Sequence, residues 1–268
     1  MIPALSQERP AVDLDSLEAY QYHLPPELVA QEPAEGRTDS RLMEVERASD
    51  ANFGHHRYRD LPDLLRGDEL LVFNDTRVVP ARLMGHRPTG GRVELLVLRS
   101  LGADVEALGR ASKPLRPGTV IHLDRGGEAR VEERLGGGHL RVRLPESGPE
   151  LWAWLEAHGD LPLPPYIRRE VGPTDADLQR YQTVYAEHPG SVAAPTAGLH
   201  FTPELLEAID ARGCDRRHLT LHVGPGTFSP VRTDQLADHV MHEERYVIPE
   251  DTAICVEEAR EQGRPILA

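Results

Sequence analysis

The sequence is poor in the features that would tie it to a membrane, an oxidising compartment or a bare DNA surface. Two cysteines, Cys214 and Cys255, stand in 268 residues. That is too few for a disulfide framework or a cysteine-rich zinc site, so reduced thiols are expected. No apolar run approaches the ~20 residues of a membrane span, and the first residues lack a basic stretch followed by an apolar one. A cytoplasmic protein without a membrane partner is the expectation. Cations are in deficit: 30 Lys and Arg against 44 Asp and Glu leave a net charge of −14. This excludes non-specific coating of DNA but not one local basic groove. Internal repeats, low-complexity tracts, a Walker loop, a G-x-G-x-x-G turn and a G-x-S-x-G elbow are all absent. What is present is the composition of a globular protein, 39% hydrophobic and 28% charged, with 23 Gly and 23 Pro that imply many turns.

Along the chain, residues 1–18 read as a flexible arm, and order is expected from near Tyr22. A Pro-Pro turn, a short helix and a polar loop flanked by Arg37 and Arg41 lead into an apolar strand at Leu42–Val45. The run Leu70–Phe73 reads as a buried strand that breaks at Asn74-Asp75-Thr76-Arg77, before a second apolar run stopped by Pro80. From about Gly91 to Leu144 short alternating segments are separated by glycine-rich turns, the pattern of a small antiparallel barrel or sandwich. The expected organisation is α/β: a mixed α/β main domain in two parts, 19–85 and 151–268, with a β-barrel inserted at 86–150. "ELWAWLEAHG" reads as a helix closed by Gly159. Pro203–Arg212 reads as an amphipathic helix, with Thr202 as its N-cap and Gly213 past its end. In "HLTLHV" alternation puts Leu219, Leu221 and Val223 on one side of a strand and His218, Thr220 and His222 on the other. A helix near Asp251–Gln262 and the start of a strand in "RPILA" follow.

The uncharged stretch "AAPTAGLHFTPE" holds the first candidate site. It offers backbone N–H groups at a helix start to a carboxylate or phosphate, with Thr196, Gly198 and Thr202 around them. His200 is either a general acid or base or a cap on local backbone. His222, beside the Gly224-Pro225-Gly226 turn and Thr227, reads as a pocket residue. Asn74, Asp75, Thr76 and Arg77 are either a turn held by side chain to backbone bonds or a polar clamp for a ligand. Tyr166, Arg168, Arg169, Arg180, Tyr181 and Tyr185 combine groups that grip phosphates with rings that stack on bases, or else form a solvated basic rim. His239 and His242, one helical turn apart, lack the H-E-x-x-H order, and no metal is expected.

The segments "YHLPPELVAQEP", "VFNDTRVVPARL", "LPLPPYI", "RYQTVYA", "GSVAAPTAGLHFT", "LTLHVGPGTFSPV" and "MHEERY", in this order, resemble the S-adenosylmethionine:tRNA ribosyltransferase-isomerases, the epoxyqueuosine-forming enzymes of queuosine biosynthesis. The resemblance runs from Tyr22 to the last residue. It implies an α/β domain carrying a small β-barrel, and a transferase that moves the ribosyl part of S-adenosylmethionine onto 7-aminomethyl-7-deazaguanine (preQ1) at the tRNA wobble position. Adenine and methionine would be released. S-adenosylmethionine would be a consumed substrate, with no prosthetic group. His200 and His222 are then the candidate base and acid, Asp75 a competing base, and methionine's carboxylate a fit for the helix start after His200. Asn74, Thr76, Arg77, Thr196, Gly198, Thr202, Gly224 and Thr227 would touch the substrate. Arg37, Arg41 and the tyrosine–arginine group would touch tRNA. Such proteins continue past "GRPILA", so the main domain is expected to be incomplete here. A non-catalytic tRNA-binding fragment is the alternative reading, and a monomer is expected.

Overall fold

The computed structural model describes residues 13–46 and 53–268. Most of the expected arm lies outside them, but its last residues are held. Ser16 bridges Gln235, and the Leu17 amide donates to the Asp234 carbonyl at 2.9 Å. Strands β1 (Arg41–Val45) and β2 (Phe53–Arg57) form an antiparallel hairpin, followed by the short helix α1 (Leu61–Leu64). β3 (Leu70–Asn74) buries Leu70, Leu71 and Phe73 and half-buries Val72, as a continuous apolar run in a parallel sheet requires. Asp75 alone separates it from β4 (Thr76–Val78).

The barrel closes from β5 (Arg82–His86), β6 (Arg92–Leu101), β7 (Asp104–Ala111), β8 (Val120–Leu123), β9 (Glu128–Gly136) and β10 (His139–Arg143), ordered β10-β7-β6-β5-β8-β9. It starts a strand earlier than residue 86, because β5 resumes right after Pro80 with no glycine turn to mark the boundary. Alternation fills its interior: Val93, Leu95 and Val97 on β6, and Val105 and Ala107 on β7, are no more than 1% exposed.

The chain then makes α2 (Glu150–His158), α3 (Asp175–Arg180), β11 (His188–Ser191), α4 (Pro203–Ala211), β12 (Asp215–His222), β13 (Arg245–Val247), α5 (Glu250–Glu261) and β14 (Ile266–Leu267). The main sheet runs β13-β12-β3-β14. β12 and β14 lie parallel to β3, and β13 is antiparallel at the edge. β11 pairs in parallel with β4. Leu205, Leu206 and Ile209 of α4 pack against Leu71 and Phe73. A buried carboxylate pins the start of this sheet. Glu69 accepts from the Arg66 and Gly67 amides at 2.7 and 2.8 Å and from the Cys214 thiol at 3.4 Å. Burial pushes its pKa up, but the donated bonds outweigh burial and hold it at about 2.

Because β3 and β12 are parallel, their carboxyl ends come together, the end at which open α/β sheets hold ligands. α4 runs back along β12 before it, so the start of α4 lies towards the same end.

Candidate active site

The break after β3 is a network of side chains. The Asn74 amide donates to the Leu221 carbonyl at 2.9 Å, and its oxygen accepts from the Leu221 and Thr76 amides at 3.0 and 3.1 Å. Asn74 is thus the turn former that ties β3 to β12. Buried Asp75 accepts from the Thr220 hydroxyl at 2.6 Å, and its other oxygen lies 3.8 Å from His188 Nε2. The hydroxyl of Thr76, itself 0% exposed, is 2.9 Å from His222 Nδ1. His218 packs on Phe73 and Tyr185. His218, Thr220 and His222 therefore share one strand face, as their alternation predicts.

His222 also lies in a cleft of about 340 Å³ between the barrel and the main sheet. Arg99, Glu106 and His139 line the barrel side, and Gly190, Gly224 and Arg245 the other. The ring rests on Gly190. A Cβ at that position, whose φ is +149°, would come within 2.8 Å of His222 Cε1, so glycine is required both by backbone and by space. Burial, then the charges of Arg245 and His188, lower the His222 pKa against the opposing pull of Asp75. Its resting form is the neutral imidazole, able to accept a proton. On the barrel side Glu106 takes hydrogen bonds from Arg99 at 2.6 Å and from His139 at 2.7 Å.

The uncharged loop holds no open anion site. Thr202 does cap α4, accepting from the Leu205 amide at 3.2 Å. Pro203 has no N–H, the Leu206 amide donates to the Thr202 carbonyl at 3.0 Å, and Glu204 puts a carboxylate in the first turn. Two amides of the first turn are spent and a carboxylate already stands beside the helix start, which disfavours methionine's carboxylate there. Thr202→Ala is accordingly expected to cost about 1 kcal/mol in urea melts, the usual worth of an N-cap, and to leave the KM for S-adenosylmethionine unchanged. Thr196 and Gly198 form a short 3₁₀ turn, with the Gly198 amide donating to the Pro195 carbonyl at 2.9 Å. His200 packs at a tilt against Tyr58, 4.7 Å between centroids, away from the residues that line the cleft. Burial lowers its pKa, and although its bond to the Arg37 backbone raises it, the Arg37 and Arg180 charges lower it further. The structure keeps His200 and His222 in separate surroundings.

The pattern of the queuosine biosynthesis protein family matches residues 17–268. The chain belongs to this family. It is 50% identical to the S-adenosylmethionine:tRNA ribosyltransferase-isomerase of Anaeromyxobacter sp. strain Fw109-5, over 94% of this chain and 73% of that protein. It is 47% identical to the protein of the same name from Thermus thermophilus, over 95% of this chain and 74% of that one. The chain therefore spans about three quarters of the length of these relatives. A solved structure of an S-adenosylmethionine tRNA ribosyltransferase from Thermotoga maritima overlaps 91% of this chain and 66% of its own, at 28% identity and a TM-score of 0.39.

Within this queuosine biosynthesis protein the remaining candidate residues divide by what they already hold. Arg77 is paired with Glu156 of α2. The Gly224 amide donates to Glu244 at 2.9 Å, and Thr227 is exposed. Arg37 donates to the carbonyls of Gln179 and Leu199 at 2.7 and 2.8 Å, and Arg180 to those of Ala34 and Glu35 at 2.9 and 3.0 Å. Arg169 grips Asp177 with two bonds of 2.7 and 2.8 Å. That grip is the main reason the Asp177 pKa falls to about 2. Tyr181 is 6% exposed and Tyr185 packs on Phe73 and Phe201. All five hold or fill the scaffold, Tyr181 buried and the other four partly exposed. Arg41, Tyr166 and Arg168 remain exposed.

Asp75, Glu187 and His188 each bring one ligand atom within 4.8 Å of the others, with only Asp75 buried. Three ligands, two of them open to solvent, are not a closed structural zinc site. His239 and His242 lie outside any helix, and His242 packs over Gly226. Nothing in the local sequence marks Arg99, Glu106 or His139 as site residues, because the cleft brings them together with His222 and Arg245 from strands far apart in the chain.

Proposed function

We propose that this protein transfers and isomerises the ribosyl group of S-adenosylmethionine onto preQ1 at the tRNA wobble position, giving epoxyqueuosine with release of adenine and methionine, in the cytoplasm and without a prosthetic group. The observation that carries the site is a neutral, half-buried His222 in a cleft where the barrel meets the ends of β3 and β12, its Nδ1 bound to Thr76. The sulfonium acidifies the neighbouring 5′ carbon, and a base must take that proton before adenine can leave. His222 is the base in this reading. Asp75 is already engaged by Thr220, and His200 faces Tyr58 and Arg37. With the α4 start disfavoured, Arg245 takes methionine's carboxylate. It lines the same cleft, and among the described residues no carboxylate lies within ion-pair distance of it.

The test is adenine release from S-adenosylmethionine with preQ1-bearing tRNA, against guanine-34 tRNA as control. Release only with the modified tRNA is expected, and Arg245→Ala should raise the KM for S-adenosylmethionine about tenfold, the loss of a charge-assisted contact. Binding of tRNA without release would leave a tRNA-binding protein and overturn the catalytic reading.

A further inference from the structure

Charge is not spread evenly over this acidic chain. Residues 82–143, the barrel, carry 12 Arg and Lys against 7 Asp and Glu, a net of +5, within a chain of −14. The strands alternate in direction, so the barrel has two ends. At the end facing the main domain, Arg82 is paired with Glu94, Arg99 with Glu106, Arg125 with Asp160 and Arg143 with Asp104. The β5–β6 turn and the loop 112–119 after β7 form the far end. There Arg110, Lys113 and Arg116 are exposed, and among the described residues none has a carboxylate within ion-pair distance. Arg110's cross-strand neighbour, Glu94, is turned to Arg82 at 3.1 Å. Arg87 donates to the Lys113 and Pro114 carbonyls and ties the two loops together, so the cations sit on a braced surface.

The near-end cations named above have carboxylate partners, whereas among the described residues these three do not. Their distance from the cleft also narrows the choice. Arg110 stands four residues along β7 from cleft-lining Glu106, about 13 Å at ~3.3 Å per residue, and Lys113 and Arg116 follow it in the loop. A nucleotide bound in the cleft and continued by a polyanionic strand would bring its flanking phosphates there. Net repulsion from the rest of the protein would disfavour RNA elsewhere. We infer that the far end of the barrel, centred on Arg110, Lys113 and Arg116, is the docking surface for the sugar–phosphate backbone of the tRNA, while the base enters the cleft. This rests on the proposed function and names the partner surface of that same site.

The experiment measures tRNA binding by fluorescence anisotropy between 50 and 300 mM KCl, for the unaltered chain, for R110E/K113E/R116E and for R110K/K113R/R116K. The reversal is expected to weaken binding at least tenfold at 100 mM KCl and to flatten the log–log salt slope by about 2 to 3, at ~0.7 to 0.9 for each phosphate the protein no longer neutralises. The charge-conserving variant should bind like the unaltered chain, and the KM for S-adenosylmethionine should not change. Equal affinity and slope for the reversal variant would overturn the surface while leaving the proposed function standing. No tRNA binding by the unaltered chain would overturn both. Circular dichroism confirms that the variants are folded, and the charge-conserving one controls for packing.

Discussion

Replacing His222 by asparagine is expected to lower kcat for adenine release by 10²- to 10⁴-fold, the usual worth of a positioned general base, with a much smaller change in the KM for S-adenosylmethionine. The side chain is in the cleft, its Nδ1 is held by a hydroxyl that solvent does not reach, and Gly190 leaves the ring room to lie flat. The sign of the pH dependence follows from its surroundings. Burial, Arg245 and His188 disfavour the imidazolium, so the pKa lies below the ordinary value of about 6.5. The neutral base is the active form. Activity of the unaltered protein should hold as pH falls through 6.5 and be lost only at lower pH, and this acidic limb should be missing from the residual activity of H222N. Rates measured from pH 5 to 9 for both proteins decide the matter. A loss under tenfold, or an unchanged acidic limb, would move the role to Asp75. The same assay on H200N is expected to show a normal acidic limb, because that ring lies outside the cleft.

Features set by one strand or one helix are legible in the sequence. The alternation of His218, Thr220 and His222 places three polar groups on one face, and the structure meets them with Phe73, Asp75 and Thr76. Thr202, Pro203 and Gly213 bound α4 correctly for the same local reason. Features set by long side chains reaching across the fold are not legible. Arg37 and Arg180 look free in the sequence, yet their partners lie 142 to 162 residues away and are backbone carbonyls, which carry no residue-type signal. The helix start of α4 fails as an anion site through one local detail. Glu204 itself puts an anion in the first turn. The spacing of His239 and His242 suggests a helix, but only Leu236–Asp238 makes a turn, and the segment after it runs along the cleft with His242 over Gly226. The Glu106–His139 pair has no sequence signal because barrel closure alone brings β7 and β10 together.

Gly159→Ala is expected to be the most destabilising single methyl in the chain, at about 3 kcal/mol, the upper end for overpacking. The position closes α2, where φ is −96° and ψ 167°, a conformation any residue adopts, so backbone freedom is not at issue. Space is. An added Cβ would fall on the Pro80 carbonyl oxygen and come 2.9 Å from the Leu155 carbonyl oxygen, both backbone atoms that cannot rotate away. The seam between the barrel and the main domain depends on this approach. Asp160 and Arg82 exchange backbone hydrogen bonds of 2.8 and 3.1 Å, and Arg125 donates to the Gly159 carbonyl at 2.9 Å. Moving residue 159 outward by the needed distance would break the Arg82–Asp160 bridge and loosen the entry into β5. The natural control is Gly91→Ala in the β5–β6 turn, where φ is not positive and only the Arg87 side chain comes within 4 Å. A surface change of that kind should stay within about 0.5 kcal/mol. Urea midpoints for the two variants, read at equal m-value, provide the comparison. If G159A matched G91A, the domain seam would have to be softer than its hydrogen bonds imply. The cleft that the seam holds open beside His222 would then be free to change width, and with it the placement of the base on which the proposed chemistry depends.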